Sequence, residues 1–171
     1  MRHRPQSGSR STRAVGALAI FAMLALVSVP ALAEPDDPFT ALQGSWSGTG
    51  AISMSNGTKE RIRCNATHHL GSSKSELTLA LTCASDSYKF NLESKVNNSA
   101  GAISGNWYET TRATGGALTG RIAGNAINVR VEGSAFNAIL SLTTKGDRQV
   151  ISIQSPGSEM SDVSITLVRK R

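Results

Sequence analysis

Two cysteines, Cys64 and Cys83, are the side chains of this sequence best suited to covalent chemistry. Their spacing matches neither the C-x-x-C motif of redox proteins nor the ligand pairs of common zinc sites. If the chain is exported, as its first 33 residues predict below, a single pair of thiols is expected to oxidise, because extracytoplasmic compartments favour disulfides. We therefore predict one structural disulfide between Cys64 and Cys83, with a redox pair or a metal site as the alternatives.

The remaining polar side chains form no recognised catalytic motif. The sequence lacks G-x-S-x-G, H-E-x-x-H and S-x-x-K motifs as well as a phosphate-binding loop. General acid–base catalysis needs two converging carboxylates, and only Glu60 and Glu109 are expected to share one end of the fold. We therefore expect no enzymatic activity, with this carboxylate pair as the only candidate for an exception.

The first 33 residues have the features of a secretory signal peptide. Residues 1–13 carry four arginines and no acid, residues 14–29 are almost entirely apolar, and small residues precede Ala33. The alternative is a membrane anchor, but the apolar run is shorter than the roughly 20 residues that span a bilayer. We predict cleavage after Ala33 and a periplasmic or secreted protein.

Removal of this leader also removes most of the excess positive charge. Four of the 18 basic residues and none of the 12 acidic residues lie in it, so the net charge falls from +6 to +2. A chain with so little net charge offers no electrostatic argument for nucleic-acid binding. We therefore expect no nucleic-acid partner.

From Gly44 onward, apolar residues recur at every second position and turn signals separate the apolar stretches. This pattern predicts ten short strands over residues 44–171, after a lead-in over residues 34–43. Short connections make consecutive strands antiparallel, and an even number of strands lets the last pair with the first. We predict an all-β, up-and-down antiparallel β-barrel, with a two-sheet meander sandwich as the alternative.

An outer-membrane barrel would show the same alternation with its faces inverted. Aromatic residues make up only 5% of the chain, which leaves too few for aromatic girdles, and the predicted loops are short. We therefore predict that the mature chain does not insert stably into a membrane.

Strand register can be predicted because cross-strand neighbours must share a face. A hairpin with a three-residue loop at Asn56-Gly57 would place Trp46 opposite His68. The next pairing aligns Cys64 with Cys83 as direct neighbours. Register and compartment thus predict the same disulfide.

Residues 44–50, Gly-Ser-Trp-Ser-Gly-Thr-Gly, have the pattern GxWxGxG at the start of the predicted barrel. This pattern resembles the calycin group, which includes lipocalins, avidins and nitrobindin-like haem barrels. The resemblance implies that Trp46 plugs the closed end and that a basic residue of the last strand, here Arg169, packs across it. His68 would lie beside Trp46 at this end. The chain is also similar to small uncharacterised exported proteins of alphaproteobacteria.

The nitrobindin-like resemblance implies a ferric haem held by a histidine late in the chain. No histidine follows His69 in this sequence, so the haem ligand cannot be transferred. We therefore predict no haem, no other cofactor and no bound metal.

If Trp46 closes one end, the opposite end holds a set of aromatic and apolar side chains with one carboxylate. The candidate ligand-binding residues are Met54, Tyr88, Trp107, Glu109 and Phe136. Such a lining is typical of a pocket for a small apolar or amphipathic ligand, although these side chains could also simply fill the barrel.

The alternative function is a protein-interaction or inhibitor module of the cell envelope. It would act through two predicted loops, Thr111–Gly116 and Ser155–Glu159. The sequence leaves the identity of the ligand and the oligomeric state open.

Overall fold

A computed structural model describes residues 38–134 and 137–171. The described chain forms ten β-strands. They are β1 Gly44–Met54, β2 Lys59–Leu70, β3 Glu76–Ala84, β4 Lys89–Ser99, β5 Ala102–Glu109, β6 Thr114–Ala123, β7 Ala126–Gly133, β8 Asn137–Lys145, β9 Arg148–Gln154 and β10 Met160–Arg169. The predicted signal peptide and its cleavage site lie outside the described residues and stay predictions.

Each strand pairs antiparallel with its neighbours in sequence, and β1 pairs with β10 to close the barrel. The predicted up-and-down barrel is confirmed, and the sandwich alternative is wrong. Closure pairs both edges of the sheet, so that no strand is left with a row of unpaired backbone groups. Within the described part of the chain, no helix is long and apolar enough to cross a membrane.

The two faces of the barrel differ sharply in polarity. On β2, for example, Ile62, Cys64 and Ala66 are buried inside, whereas Arg61 and Arg63 are exposed outside. The alternation follows from the pleat, which points successive side chains to opposite faces. The interior is therefore the apolar side, which is the reverse of a barrel whose outer surface faces lipid.

The pairing of β1 with β2 differs from the predicted register. Trp46 pairs with Ala66, and Gly44 takes the place opposite His68. The connecting loop has four residues, 55–58, because the side chain of Asn56 accepts the backbone N–H of Thr58 at 2.9 Å. Since the shift is two residues, every side chain keeps its predicted face.

The predicted disulfide is present. Cys64 and Cys83 are direct cross-strand partners on β2 and β3, they are bonded, and both are buried. The described residues contain no free cysteine. This bond joins two strands that are already neighbours, so its role is to strengthen one part of the barrel wall.

Replacement of both cysteines by alanine is expected to lower the free energy of unfolding by about 3 kcal/mol, mainly because the unfolded chain gains conformational freedom. Urea unfolding of the wild type and of the C64A/C83A variant measures the difference. The wild type with its disulfide reduced is the matched control and should lose a similar amount. Two titratable thiols in unfolded, unreduced protein would contradict the disulfide.

The strands divide their connections between two ends of the barrel. The closed end holds the connections after β2, β4, β6 and β8, together with the turn that precedes β1. In this turn Phe39 and Leu42 are buried, and the Leu42 N–H donates to the Phe39 carbonyl oxygen at 3.0 Å. The open end holds the connections after β1, β3, β5, β7 and β9.

Candidate ligand-binding cavity

The interior of the barrel contains a cavity of about 370 Å³. It extends from Phe39 and Leu42 at the closed end to Arg112 and Glu159 at the open end. Aliphatic and aromatic side chains form most of its wall, among them Leu77, Phe90, Val129, Leu140 and Val163. The interior is therefore not filled by the side chains that face it.

Strand number and side-chain size together explain this space. About eight strands give a barrel whose interior side chains can just fill, and the diameter grows with each further strand. This barrel has ten strands, and some inward positions hold small residues, such as Ser94 and Ala138. Medium-sized side chains from opposite walls therefore leave room between them.

Trp107 forms a fixed part of the cavity wall. Its indole Nε1–H donates to the carbonyl oxygen of Glu132 at 3.1 Å, and the residue is only 4% exposed. A Cβ atom on Gly133 would lie 2.6 Å from Cζ2 of the indole, so the ring packs directly on the backbone of β7. The absence of a side chain at Gly133 thus lets Trp107 occupy this position.

Glu109 also lines the cavity, but its carboxylate is engaged in holding the connection after β5. It accepts backbone N–H groups from Asn91 at 2.9 Å, Thr111 at 3.0 Å and Arg112 at 2.8 Å. Burial raises the pKa of Glu109, yet these hydrogen bonds together outweigh it and the pKa lies below its ordinary value. The carboxylate is therefore ionised at neutral pH.

The two carboxylates of the predicted Glu60–Glu109 pair each stabilise a different connection between strands. Glu60 accepts a hydrogen bond from the Ser85 hydroxyl group, which lowers its pKa, and so supports the connection after β3. Glu109 supports the connection after β5 instead. Neither carboxylate has the raised pKa of a general acid.

Three side chains meet at the mouth of the cavity, at the open end. The Tyr88 hydroxyl group donates to Oε1 of Glu159 at 3.2 Å, and the Arg112 guanidinium carbon lies 5.8 Å from the centre of the Tyr88 ring. Arg112 Nη1 also lies 3.5 Å from Oε2 of Glu109. Sequence reasoning did not select Arg112 or Glu159 as ligand residues, although both fall within the loops predicted for protein interaction.

The bounds of one of those loops need correction. Residues 114–116 belong to β6, so the connection after β5 covers only residues 110–113. The connection after β9 covers residues 155–159, as predicted.

Of the five predicted ligand residues, Tyr88, Trp107 and Glu109 line the cavity. Met54 does not line it, because the pairing of β1 with β10 shifts between Ser53 and Met54. At this bulge Met54 pairs with Met160, and Met160 lines the cavity instead. Phe136 lies outside the described residues. Whether any of these side chains contacts a ligand stays a prediction.

At the closed end, Trp46 is fully buried. Its Nε1–H donates to the Leu42 carbonyl oxygen at 2.8 Å, and the guanidinium carbon of Arg169 lies 4.1 Å from its ring centre. The ring of His68 meets it edge-on, with the ring centres 6.3 Å apart. Trp46 therefore joins the turn before β1 to the barrel and contributes no surface to the cavity.

Arg169 extends this connection to the backbone of the turn. Its Nη2 donates to the Ala41 carbonyl oxygen at 2.8 Å, and its Nη1 donates to that of Gln43. Its Nε donates to Oδ1 of Asp147 at 2.9 Å. One side chain thus links β10 to the turn before β1 and to the connection after β8.

His68 is buried behind Trp46, next to Gln149 and not far from Arg169 and His69. Among the described residues, neither ring nitrogen makes a hydrogen bond of normal geometry. Burial lowers the pKa of His68 from 6.5 to about 4, with a smaller opposing effect from Gln149 and further lowering from Arg169. The imidazole is therefore neutral at physiological pH.

Acidification is expected to destabilise the barrel through His68. The unfolded imidazole binds a proton near its ordinary pKa of 6.5, whereas the folded one does so only near 4. The free energy of unfolding should therefore fall from about pH 6.5 downward, with a loss of roughly 3 kcal/mol by pH 4.

Urea unfolding between pH 7 and pH 4 tests this, in the wild type and in His68→Leu. The variant should lose less stability over this range, since only the wild type has the buried imidazole. His69→Leu, at an exposed neighbouring position, is the matched control. Equal pH dependence in wild type and His68→Leu would contradict the prediction.

Comparison with known proteins finds similarity in structure and none in sequence. No family model matches the sequence, and no curated protein matches it. Rv2717c from M. tuberculosis is similar with a TM-score of 0.64 at 16% identity, over 82% of this chain and 99% of that chain. The S-type phycobiliprotein lyase CPES from Guillardia theta is similar with a TM-score of 0.55 at 9% identity, over 78% of this chain and 90% of that chain.

These identities show a shared fold and nothing more specific. They support the coarser resemblance, a calycin-like barrel. The predicted likeness to exported proteins of alphaproteobacteria stays a prediction. The expected absence of cofactors also stays a prediction, although the described residues contain no cluster of three metal-ligating side chains.

The expectation of no enzymatic activity requires correction. It depended on the absence of familiar catalytic motifs, but a protein with a similar barrel is a phycobiliprotein lyase. The absence of those motifs therefore does not show that a protein with this fold lacks enzymatic activity. At 9% identity the likeness assigns no reaction to this chain. What the geometry establishes is a closed, ten-stranded antiparallel barrel with an apolar cavity, which fits ligand binding in general.

Proposed function

We propose that this protein binds a small apolar or amphipathic molecule in the cavity of its barrel. The observation that carries the proposal is the cavity of about 370 Å³, whose wall is mostly apolar. Its volume lies in the range of small-molecule sites. It has room for roughly a dozen non-hydrogen atoms, taking the volume of a water molecule for each.

The distribution of polar groups supports an amphipathic ligand. Leu77, Val129 and Leu142 line the part of the cavity away from the open end, whereas Arg112 and Glu159 lie at its mouth. An apolar body would be buried inside and gain about 25 cal/mol for each Å² removed from water. A polar group at one end of the ligand would stay near water and the side chains of the mouth.

A preformed site lowers the cost of binding. The cavity wall is made of paired strands, and Trp107 is held by its hydrogen bond to Glu132 and by its packing on Gly133. Little of the wall has to become ordered when a ligand enters. The same rigidity makes Trp107 a suitable reporter of the bound state.

A periplasmic or secreted location belongs to this proposal. The leader predicted over residues 1–33 and the disulfide between Cys64 and Cys83 both support it. The polar outer face supports a mature chain that does not insert into a membrane. The interaction of the loops with an envelope protein stays an alternative prediction.

Titration with decan-1-ol tests the proposal. Isothermal titration calorimetry should show saturable binding, and the tryptophan emission should change with the same midpoint. Trp107→Phe is the matched control, because it leaves Trp46, which does not line the cavity, as the only tryptophan. This variant should still bind but lose most of the emission change. No heat and no emission change in the wild type would refute the proposal.

A further inference from the structure

We infer that the ligand of this cavity carries a positively charged head group, such as an ammonium, and that Glu159 selects it at the mouth. This inference rests on the proposed ligand-binding function and specifies the chemical class of the ligand. It follows from the charges that face the cavity and from which of them are already engaged.

Carboxylates outnumber cations around the mouth. Of the described residues that line the cavity, three are charged, namely Glu109, Arg112 and Glu159. A further carboxylate, Glu60, lies close enough to Tyr88 to act on its hydroxyl group electrostatically. A head group at the level of Tyr88 therefore meets three negative charges and one positive charge.

Arg112, the one cation among the described residues of the lining, is already engaged. Arg112 Nη1 lies 3.5 Å from Oε2 of Glu109, and the guanidinium group packs over the ring of Tyr88. Glu109 cannot readily move away, because three backbone N–H groups hold its carboxylate. An anionic head group would have to compete with this fixed carboxylate for Arg112.

Glu159, in contrast, has capacity to accept further hydrogen bonds. Its Oε1 accepts the Tyr88 hydroxyl group at 3.2 Å. Within residues 38–134 and 137–171, its Oε2 has no hydrogen-bond partner, and the side chain is exposed. An ammonium can donate to this oxygen while its apolar chain lies against the inner wall.

The two serines of the connection after β9 do not offset this preference for a cation. The Ser155 hydroxyl group donates to the Asn137 carbonyl oxygen at 2.8 Å, and the Ser158 hydroxyl group donates to that of Ser155 at 2.8 Å. Both hydroxyl hydrogens are therefore used within the protein. Neither serine offers a free donor to an anionic head group.

Three probes with the same ten-carbon chain test the inference: decylammonium, decan-1-ol and decanoate. At pH 7.5 and low ionic strength, calorimetry should show decylammonium binding roughly three- to tenfold more tightly than decan-1-ol, as expected for one or two exposed ion pairs. Decanoate should bind more weakly than decan-1-ol. The advantage of decylammonium should shrink as salt screens the charges.

Glu159→Gln removes the charge and keeps an oxygen that can accept the Tyr88 hydroxyl group. It should abolish most of the advantage of decylammonium over decan-1-ol. Glu132→Gln is the matched control, because Glu132 is exposed on β7 and does not line the cavity. It should keep the advantage of decylammonium.

The outcomes separate this inference from the proposed function. If none of the three probes binds, the proposed function itself fails. If decan-1-ol binds but decanoate binds as tightly as decylammonium, the cavity is a ligand site and the head-group inference is wrong. An advantage of decylammonium that survives in Glu159→Gln would likewise overturn the role of Glu159.

Discussion

Replacement of Trp46 by alanine is expected to lower the free energy of unfolding by about 3–5 kcal/mol. The indole is fully buried, and its Nε1–H donates to the Leu42 carbonyl oxygen at 2.8 Å. Its removal would leave a void beneath Arg169 and detach the turn before β1 from the barrel. Because Leu42 also forms part of the cavity floor, the damage should extend into the binding site.

Urea unfolding at pH 7 measures this loss. Trp46→Phe is the matched control, since it keeps an aromatic ring under Arg169 but cannot donate to Leu42. It should cost less than the alanine variant, on the order of 1–3 kcal/mol for the unpaired carbonyl group and the smaller ring. A Trp46→Ala protein within 1 kcal/mol of the wild type would show that the closed end does not depend on the indole.

Replacement of Ala138 by tryptophan is expected to weaken the binding of decan-1-ol by at least about tenfold, because affinity for an apolar ligand depends on the surface that the cavity can bury. Ala138 is buried on β8 and lines the cavity. An indole at this position would occupy much of the 370 Å³ that a ligand needs. The side chain would enter an existing space, so the barrel should remain folded.

Calorimetry with decan-1-ol measures the effect, and a thermal melt checks that the variant is folded. Ala80→Trp is the matched control, since Ala80 is exposed on the outer face of β3. Ala138→Leu should give an intermediate loss, because it fills less of the space. Unchanged binding by folded Ala138→Trp protein would place the ligand outside the cavity.

Much of the architecture could be predicted because the side chains of a β-strand follow a regular alternation. Side chains alternate between two faces, so the period of two in the sequence shows which residues point inward. The disulfide followed from the same rule, since the pairing of β2 with β3 has the predicted register and aligns Cys64 with Cys83. Short connections then determined the order of the strands.

The details of register and side-chain placement that the sequence did not predict depend on local backbone pairing and hydrogen bonds. The register of β1 with β2 depends on the Asn56 side chain, which organises a four-residue loop. The exclusion of Met54 from the cavity depends on a bulge in the pairing with β10. The role of Glu109 in holding the connection after β5 depends on three backbone N–H groups, two of them from that connection. Period and composition carry no signal for any of these.

The sequence by itself determined the inward face of every strand and the disulfide, because both follow from the alternation of side chains along a strand. Only the tertiary structure decided that the interior is hollow. Whether inward side chains meet depends on the diameter of the closed barrel and on their reach from opposite walls. The same closure brings Tyr88, Arg112 and Glu159 together at one mouth from three connections far apart in the sequence.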